Sequence, residues 1–244
     1  RGVEIETVDA SDEFLNALAG KEDPEEKRRI IGNLFIKVFW DSVGNAEMLA
    51  QGTLYPDVIE SASNAKSKAS VIKTHHNRVP KILELQEQGK VLEPLAELFK
   101  DEVRELGAAL GIASDILGRH PFPGPGLAVR CPGAIDRERL NIIRECDAIF
   151  IGKLKQHGWY DRVWQAYAGL IPVKTVGVKG DERSYEWATN LRAVISEDAM
   201  TAEWVDLPAQ LLRETSQDIL NEVSGINRVL YDISTKPPAS IEWE

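Results

Sequence analysis

Apolar and polar positions follow two different periods over the first part of the chain. Residues 3–8 largely alternate between apolar and polar side chains, which predicts a strand. Residues 23–39 carry apolar side chains at helical spacing and predict a helix. Asp23 can cap this helix, Pro24 suits its first position and Glu26 completes a capping box, so we expect the helix to begin there.

Strands and helices continue to alternate up to residue 120. Residues 47–51 predict a short buried strand, and residues 70–74 predict another. Residues 94–110 predict a helix that begins at Pro94 and ends before Gly111. Its core-facing side chains are expected to be Leu95, Phe99, Val103, Leu106 and Leu110. This order predicts an α/β fold with a mostly parallel sheet and helices on both of its faces.

The segment PFPGPG at 121–126 interrupts the alternation, because proline lacks a backbone donor and glycine is conformationally permissive. We place a domain boundary here, which divides the chain into residues 1–120 and 121–244. The second part predicts a helix over 137–156, capped by Asp136, and a helix over 208–223. Its predicted strands are 172–178, 189–195 and 227–233. Together these elements predict a small α+β domain.

Composition and charge narrow the function classes. The chain has 244 residues, 43% of them hydrophobic, with a net charge of −10 and no apolar run of membrane-spanning length. An acidic chain of this kind does not offer the basic surface that nucleic acids or anionic membranes require. Two acid-free windows, 61–83 and 116–135, nevertheless leave room for a local anion site. The only cysteines, Cys131 and Cys146, are expected to be free thiols in a reduced, cytoplasmic protein.

A turn with two carboxylates follows the predicted strand at 47–51. In QGTLYPDVIES (51–61), Asp57 and Glu60 are three positions apart, which puts both carboxylates on one side of a turn or helix. Such a pair can orient hydroxyl groups or a metal-bound nucleotide. The same pattern is also typical of a solvated loop with a helix cap.

A basic loop follows the predicted strand at 70–74. Lysine with neutral donors suits phosphate, so the loop can close over a nucleotide, although a solvated basic loop has the same composition. Its adjacent histidines point to opposite sides of an extended chain, which disfavours a shared metal. The polar run of the loop is Lys73, Thr74, His75, His76 and Asn77.

Three further segments carry possible anion contacts. Lys100 and Arg104 share a helix face, next to Asp101, and fit either an anion clamp or a solvated surface. The stiff segment RHPFPGPGLAVR (119–130) fits either a ligand-contacting backbone or a plain linker. The polar tail STKPPASIEWE (234–244) holds Lys236 forward on a stiff stem, or simply frays. The chain contains no nucleophile elbow, CxxC, HExxH, GxGxxG or complete phosphate-binding loop.

Read together and in order, these segments resemble the GMP synthetase family over nearly the whole chain. The resemblance is carried by QGTLYPDVIES, VIKTHHN, LEPLAELFKDEVRELG, RHPFPGPGLAVR, TVGVKGDERSYEWA and YDISTKPPASIEWE. It implies that residues 1–120 are the C-terminal part of an ATP-pyrophosphatase domain, which is adenine nucleotide alpha hydrolase-like, and that residues 121–244 are a dimerisation domain.

The family resemblance also implies a reaction and its partners. ATP adenylylates the 2-oxygen of xanthosine monophosphate (XMP), and ammonia then displaces AMP to give GMP, so the enzyme is a C–N ligase of purine biosynthesis. The implied co-substrate is ATP with Mg²⁺. The implied partners are XMP, glutamine or ammonia from an amidotransferase domain or subunit, and a second copy of the chain. Neither nucleic acid nor membrane is expected.

Site residues transfer from the family by position. Asp57 and Glu60 resemble carboxylates of the synthetase site, residues 73–77 resemble its lid, and Lys100 with Asp101 resembles a lysine–acid step in the next helix. Gln51 and Gly52 fall in the part that contacts ATP, while the Mg²⁺ ligands stay open. The resemblance assigns XMP contacts to Asp57, Gln165, Lys236 and Glu242.

Two departures from the family pattern matter. The Ser-Gly-Gly-Val-Asp-Ser loop that cradles the pyrophosphate of ATP does not occur, and we expect it, with the amidotransferase domain, to precede Arg1. After Asn77 the chain has RVPKILELQEQGKVLEPL in place of a Gly-Gly-Leu-Pro turn. Other ATP pyrophosphatases are an alternative class, but they should lack PFPGPG and the IEWE tail. A dimerising, nucleotide-binding module without activity of its own is a third interpretation.

Overall fold

The computed structural model describes residues 5–43, 48–56, 58–59, 85–197 and 199–244. The chain divides into two compact units. Unit 1 comprises Arg1–Ala10 and Ile31–Arg119, and unit 2 comprises Ser11–Ile30 and His120–Glu244. None of the helices in the described ranges is long and apolar enough to cross a membrane.

The first two helices differ in how well the sequence predicts them. Helix α1 (Ser11–Leu18) was not predicted, and residues 5–8, expected to form a strand, have no regular structure. Helix α2 (Pro24–Val43) begins where predicted, and the backbone N–H of Glu26 donates to Asp23 Oδ1 at 2.7 Å. The cap therefore satisfies one of the free donors at the start of α2.

A short parallel sheet is the β structure described in unit 1. Strand β1 (Leu49–Ala50) pairs in parallel with β2 (Val91–Leu92). The strand predicted over 47–51 is shorter than expected, and Ala50 is exposed rather than buried. The strand predicted over 70–74 lies outside the described residues. Unit 1 thus contains a parallel pair and unit 2 a mostly antiparallel sheet, so the described chain is a mixed α/β structure.

The helix predicted over 94–110 begins later than expected. Helix α3 (Lys100–Ala109) starts after Phe99, whose N–H donates to the Glu102 carboxylate at 2.7 Å. Residues 94–97 form turns instead, and α4 (Ser114–Leu117) follows. The apolar face predicted for this helix is also wrong at its C-terminal end, because Leu110 is 63% exposed.

Unit 2 contains two long helices and a four-stranded sheet. After a 3₁₀ helix (Gly126–Arg130) comes α5 (Arg137–Gln156), whose predicted bounds are confirmed and whose cap Asp136 accepts from Arg139 N at 2.8 Å. The remaining elements are a 3₁₀ helix (Tyr160–Arg162), β3 (Gln165–Lys179), β4 (Glu182–Ile195), β5 (Glu203–Trp204), α6 (Ala209–Glu222) and β6 (Ile226–Tyr231).

Strand β4 is the centre of the sheet. It pairs antiparallel with β3 along its whole length, from Lys179–Glu182 at the hairpin end to Gln165–Val194. On its other side it pairs in parallel with β6 and, further along, antiparallel with β5. Helix α6 connects β5 to β6, so the second part has the α+β order expected from the sequence.

The two faces of this sheet are covered by different parts of unit 2. The Thr189 side chain lies close enough to the Cys146 thiol of α5 to affect the pKa of that thiol, so the helix lies on the face to which Thr189 points. Arg192, three positions further, points to the opposite face by strand alternation. There it contacts the last residues of the chain, 234–244, which we call the tail. The sheet is therefore enclosed between α5 and the tail.

Only half of the β3–β4 ladder is enclosed in this way. The inner half, residues 165–170 of β3 and 188–194 of β4, is buried at every position. The outer half, residues 173–179 and 182–186, is largely exposed and carries apolar side chains, with Val176 57% and Tyr185 66% exposed. Val176 lies directly opposite Tyr185, so both project from one face of the hairpin.

Candidate functional site

An open cavity of about 480 Å³ lies within unit 2, along the tail. Gln165, Lys236 and Glu242, the three described residues predicted to contact XMP, all line it. They are separated by up to 77 positions in sequence, and the fold brings them together at the start of β3 and along the tail. The other lining residues are Arg28, Pro121, Phe122, Pro123, Ala199, Ser240, Ile241 and Glu244.

Gln165 is held at the first position of β3. The next residue, Ala166, donates its backbone N–H to His120 Nδ1 at 3.2 Å. The His120 ring is stacked on Tyr160 at 3.9 Å between centroids, and its Nε2 lies 2.8 Å from the Tyr160 carbonyl oxygen. These contacts assign the donor proton to Nε2 and leave Nδ1 as an acceptor, so the ring is neutral. Burial lowers the pKa of His120 and favours the same form.

Glu242 connects the tail to the floor of the cavity. Its carboxylate accepts from Arg130 Nε and Nη2, both at 3.1 Å, which is a bidentate pair. Gln165 Nε2 donates to the same carboxylate at 2.6 Å. Glu242 is therefore fixed in position and largely neutralised, so its carboxylate can present a directed acceptor to a ligand.

Arg130 is the buried cation beneath this pair. Its side chain is 3% exposed and lies over the rings of Phe122 at 4.9 Å and Tyr167 at 4.4 Å. Asp147 Oδ1 lies 3.9 Å from Nη1 and accepts the backbone N–H of Ala168 at 2.8 Å. Burial nevertheless raises the pKa of Asp147. Arg130 is thus shared between the tail, α5 and the aromatic wall of the cavity.

A second buried arginine shapes the tail. Arg192 donates to the carbonyl oxygens of Ser234, Ser240 and Ile241 at 2.9–3.1 Å and pairs with Asp232 at 3.0 Å. Burial opposes ionisation of Asp232, but hydrogen bonds from Ser234 and the charge of Arg192 prevail and lower its pKa. The tail therefore follows one path across the sheet rather than lying loosely over it.

Lys236 stands at the cavity wall. Its backbone pairs with Ala202 in both directions, and its ammonium group donates to the carbonyl oxygen of Ala199 at 2.7 Å. Ala199 has a left-handed backbone with φ of 62°, which Ser196 supports by accepting its N–H at 2.9 Å. An ammonium group has three donors, and Ala199 takes one of them. Lys236 is thereby oriented while it retains donors for an anion.

The charges around the cavity divide into paired and available groups. The two lining carboxylates are each held by a buried cation, Glu242 by Arg130 and Glu244 by Lys27. The two lining cations have weaker partners, since Arg28 pairs with the exposed Glu25 at 2.7 Å and Lys236 with a neutral carbonyl oxygen. The wall can therefore accept a phosphate at Arg28 and Lys236.

The predicted residues of unit 1 are only partly described. Asp57, Glu60, Lys73, Thr74, His75, His76 and Asn77 lie outside the described residues. Lys100 and Asp101 lie on the surface at the start of α3, where partial desolvation of the ammonium group, together with the charge of Arg104, lowers the pKa of Lys100. The backbone N–H of Gln51 donates to Leu92 O at 2.9 Å, while its buried side-chain Oε1 has no partner among the described residues.

The described ranges also bear on two other chemistries, metal binding and thiol nucleophiles. No group of three or more His, Cys, Asp or Glu residues in these ranges is arranged to hold a metal ion. Cys131 and Cys146 are free and buried, as the sequence predicts. Burial raises the pKa of Cys131 to about 11 and that of Cys146 to about 12, so neither is a thiolate nucleophile near neutral pH.

Several cavity residues escaped the sequence-based prediction. Arg28 belongs to the charged run PEEKRR of α2, which looks like an ordinary solvated helix face. Arg130 and Phe122 were noticed only as parts of a rigid segment. The acid-free window around them was the one signal that could have pointed to an anion site.

The fold and the cavity together define an α+β domain with an open cavity, one wall of which is formed by the C-terminal tail. Comparison with known proteins gives the family. Residues 152–243 match the family model described as GMP synthase C terminal domain. The chain is 56% identical over 248 residues to a glutamine-hydrolyzing GMP synthase from Flavobacterium psychrophilum, covering 100% of this chain and 48% of the relative. It is 57% identical over 245 residues to that of Chlorobaculum tepidum, covering 100% and 46%.

A third relative gives the same result. The glutamine-hydrolyzing GMP synthase of Roseobacter denitrificans is 55% identical over 242 residues, which cover 97% of this chain and 46% of the relative. The chain therefore belongs to the GMP synthase family and corresponds to the C-terminal part of its members. It spans about half the length of the curated relatives it matches.

Proposed function

We propose that this chain forms the synthetase part of an enzyme that makes GMP from XMP. ATP adenylylates the 2-oxygen of XMP and releases pyrophosphate, and ammonia derived from glutamine then displaces AMP. The observation that carries this proposal is the cavity of unit 2, where Gln165, Lys236 and Glu242 meet. The chain thereby serves GMP biosynthesis as part of a C–N ligase.

The chemistry of the cavity suits a purine nucleotide. Arg28 and Lys236 offer cationic donors for a phosphate group, because their own partners are weaker than those of the lining carboxylates. Gln165 is buried and Glu242 is half-buried; Arg130 holds Glu242, and Glu242 holds Gln165, so both can recognise N–H and hydroxyl groups by direction. Phe122, at 63% exposure, offers an aromatic surface to a base.

The remaining site residues keep the roles that the family resemblance implies. Asp57 and Glu60 act at the synthetase site, and residues 73–77 form a lid over it. Lys100 and Asp101 support the adenylylation step, and Gln51 with Gly52 contacts ATP. Mg²⁺, when bound with ATP, neutralises phosphate charge. The protein's own contribution is to position the nucleotide and to balance charge around the leaving group.

Two partners belong to this proposal. A second copy of the chain binds through the C-terminal domain, and the exposed apolar face at Val176 and Tyr185 supports such contact, because apolar area of this kind is commonly buried in an interface. An amidotransferase domain or subunit supplies ammonia. The whole enzyme acts in the cytoplasm, and the chain by itself is inactive.

A second candidate is a nucleotide-binding and dimerisation module without catalysis. It is favoured by the composition of the cavity, because every residue that lines it belongs to unit 2. The two candidates differ in what the chain does alone: a module binds XMP with full affinity, whereas a synthetase part needs the complete enzyme for both binding and turnover.

Calorimetric titration with XMP, and with GMP and IMP as comparisons, tests the proposal. Full-length protein should bind XMP selectively, and Lys236→Ala should weaken XMP binding about 10- to 100-fold, because a charged hydrogen bond contributes about 1.5–3 kcal/mol. Lys179→Ala, at an exposed position on the hairpin, is the matched control and should leave the affinity unchanged. Equal XMP affinity of the wild-type protein and Lys236→Ala would contradict the assignment of Lys236 to the XMP site.

A further inference from the structure

Lys27 is the most deeply buried lysine described in the chain. Its side chain is 0% exposed, although its neighbour Arg28 lines the cavity from the same turn of α2. A buried ammonium group loses its hydration and is retained only where it has partners. The Lys27 ammonium group donates hydrogen bonds to two segments, the 3₁₀ helix with its next residue and the tail.

The contacts of Lys27 join these two segments at one nitrogen atom. Nζ donates to the carbonyl oxygens of Cys131 at 3.0 Å and Ala128 at 3.5 Å, and to Glu244 Oε2 at 2.5 Å. The other oxygen of Glu244 accepts the backbone N–H of Gly133 at 3.1 Å. Both carboxylate oxygens of Glu244 are thus occupied, so its side chain has a single direction.

The position of these contacts matters for the cavity. Ala128 and Cys131 flank Arg130, the cation that holds Glu242, and Glu244 is two residues beyond Glu242 in the tail. The same ammonium group therefore fixes the backbone that carries Arg130 and the tail end that Arg130 holds. A shift at Glu244 would move Glu242, and a shift at Cys131 would move Arg130.

We propose that Lys27 is a positioning residue for the nucleotide cavity, acting through the Glu244 carboxylate to hold Glu242 against Arg130 and Gln165. The inference rests on the proposed XMP site and adds to it a residue of the segment 11–30 that does not touch the ligand. Lys27 is required for nucleotide affinity because it sets the register of the tail. The chemistry of the adenylylation step does not depend on it.

Kinetics of the full-length enzyme test this role. Lys27→Met keeps most of the length of the side chain and removes its charge, and it should raise KM for XMP about tenfold while kcat stays within about threefold. Lys21→Met is the matched control, since Lys21 pairs with Glu26 on the surface of the same segment, and it should change KM less than about twofold. An unchanged KM in Lys27→Met would overturn the inference.

A double variant separates positioning from stability. Removing one member of a buried ion pair destabilises a protein, whereas replacing both by apolar groups is often neutral. The double variant Lys27→Met with Glu244→Met should therefore melt near the wild-type temperature. It should still bind XMP about as weakly as Lys27→Met, because two flexible methionine side chains make no directional hydrogen bonds that fix the tail. Recovery of stability and XMP affinity together would show that Lys27 is merely structural and would overturn the inference.

Hydrogen exchange gives a readout that is independent of the nucleotide. The Lys236 amide, bonded to Ala202 at 2.8 Å, should exchange at least about tenfold faster in the double variant while amides of α5 keep their wild-type rates. Equal exchange at Lys236 would contradict the link between Lys27 and the tail. Failure of wild-type protein to bind XMP would instead overturn the proposed function, and with it this inference.

Discussion

The inner and outer halves of the β3–β4 ladder belong to one antiparallel pair, separated by a register shift between Ile171 and Lys174, and they have different surroundings. In the inner half, Tyr167 and Arg192 lie directly opposite each other, and both contact the tail, Tyr167 through its hydroxyl group to Ile241 O at 2.8 Å. In the outer half, Val176 and Tyr185 also lie opposite each other, yet both are more than half exposed. Strand pairing alone therefore does not decide burial.

What differs is the partner on each face. The outer half has a polar network on the face opposite Val176, where Asn227 bonds to Thr175 and Ser184. A side chain at Gly177 would meet Ser184 Oγ at 2.7 Å and Asn227 Nδ2 at 2.8 Å, so that face is full. The apolar face is the one that a second copy of the chain would cover under the proposed function.

The largest effect is expected at Arg192. Arg192→Met should destabilise the protein by about 3–5 kcal/mol, because three tail carbonyls and Asp232 lose a fully buried cation. Arg183→Met, at an exposed position of the same strand, should cost less than about 0.5 kcal/mol. Urea unfolding of both variants measures the difference. Equal midpoints would show that the tail does not stabilise the inner half.

The next effect concerns association through the outer half. Val176→Asp should weaken dimerisation at least about tenfold without unfolding the protein, since it places a charge in an apolar contact. Lys179→Asp points to the other face and should leave the dimer intact. Light scattering over a concentration series distinguishes the variants. A wild-type protein that stays monomeric at high concentration would remove the dimer from the proposal.

The smallest effect is a pH dependence at the start of the inner half. The folded pKa of His120 lies below its ordinary 6.5, so the unfolded chain takes up the proton first as pH falls. Stability should therefore decline between pH 6.5 and the folded pKa, by less than the loss in Arg192→Met. His120→Gln should flatten this slope in denaturant melts at several pH values. An unaltered slope would assign the dependence to other groups.

Sequence patterns predict elements well where the signals are local. Helix α5 has its predicted bounds because Asp136 caps it and its apolar face repeats over five turns. Helix α3 was misplaced, since Pro94 suits a first turn but the hydrogen bond from the Phe99 N–H to the Glu102 carboxylate marks the actual start. Strand β3 begins seven residues before its predicted start because its first half is buried on both faces and shows no alternation.

The residues of the candidate site were harder to predict from such patterns. Gln165, Lys236 and Glu242 have no mutual spacing that indicates a cavity, and only the family resemblance pointed to them. Lys27 and Arg28 belong to a charged helical run in which one side chain is fully buried and the other faces the cavity, a distinction that depends on tertiary packing. Local spacing carries no information about a partner that is 217 positions away.

That separation also affects how the chain is made. At a synthesis rate of about 5–20 residues per second, the 217 positions between Lys27 and Glu244 correspond to roughly 11–43 s of translation. Throughout that interval the segment 11–30 is present without the tail that completes its surroundings. Unit 2 can therefore close only after the tail has been made, whereas the short-range helix α5 can form earlier.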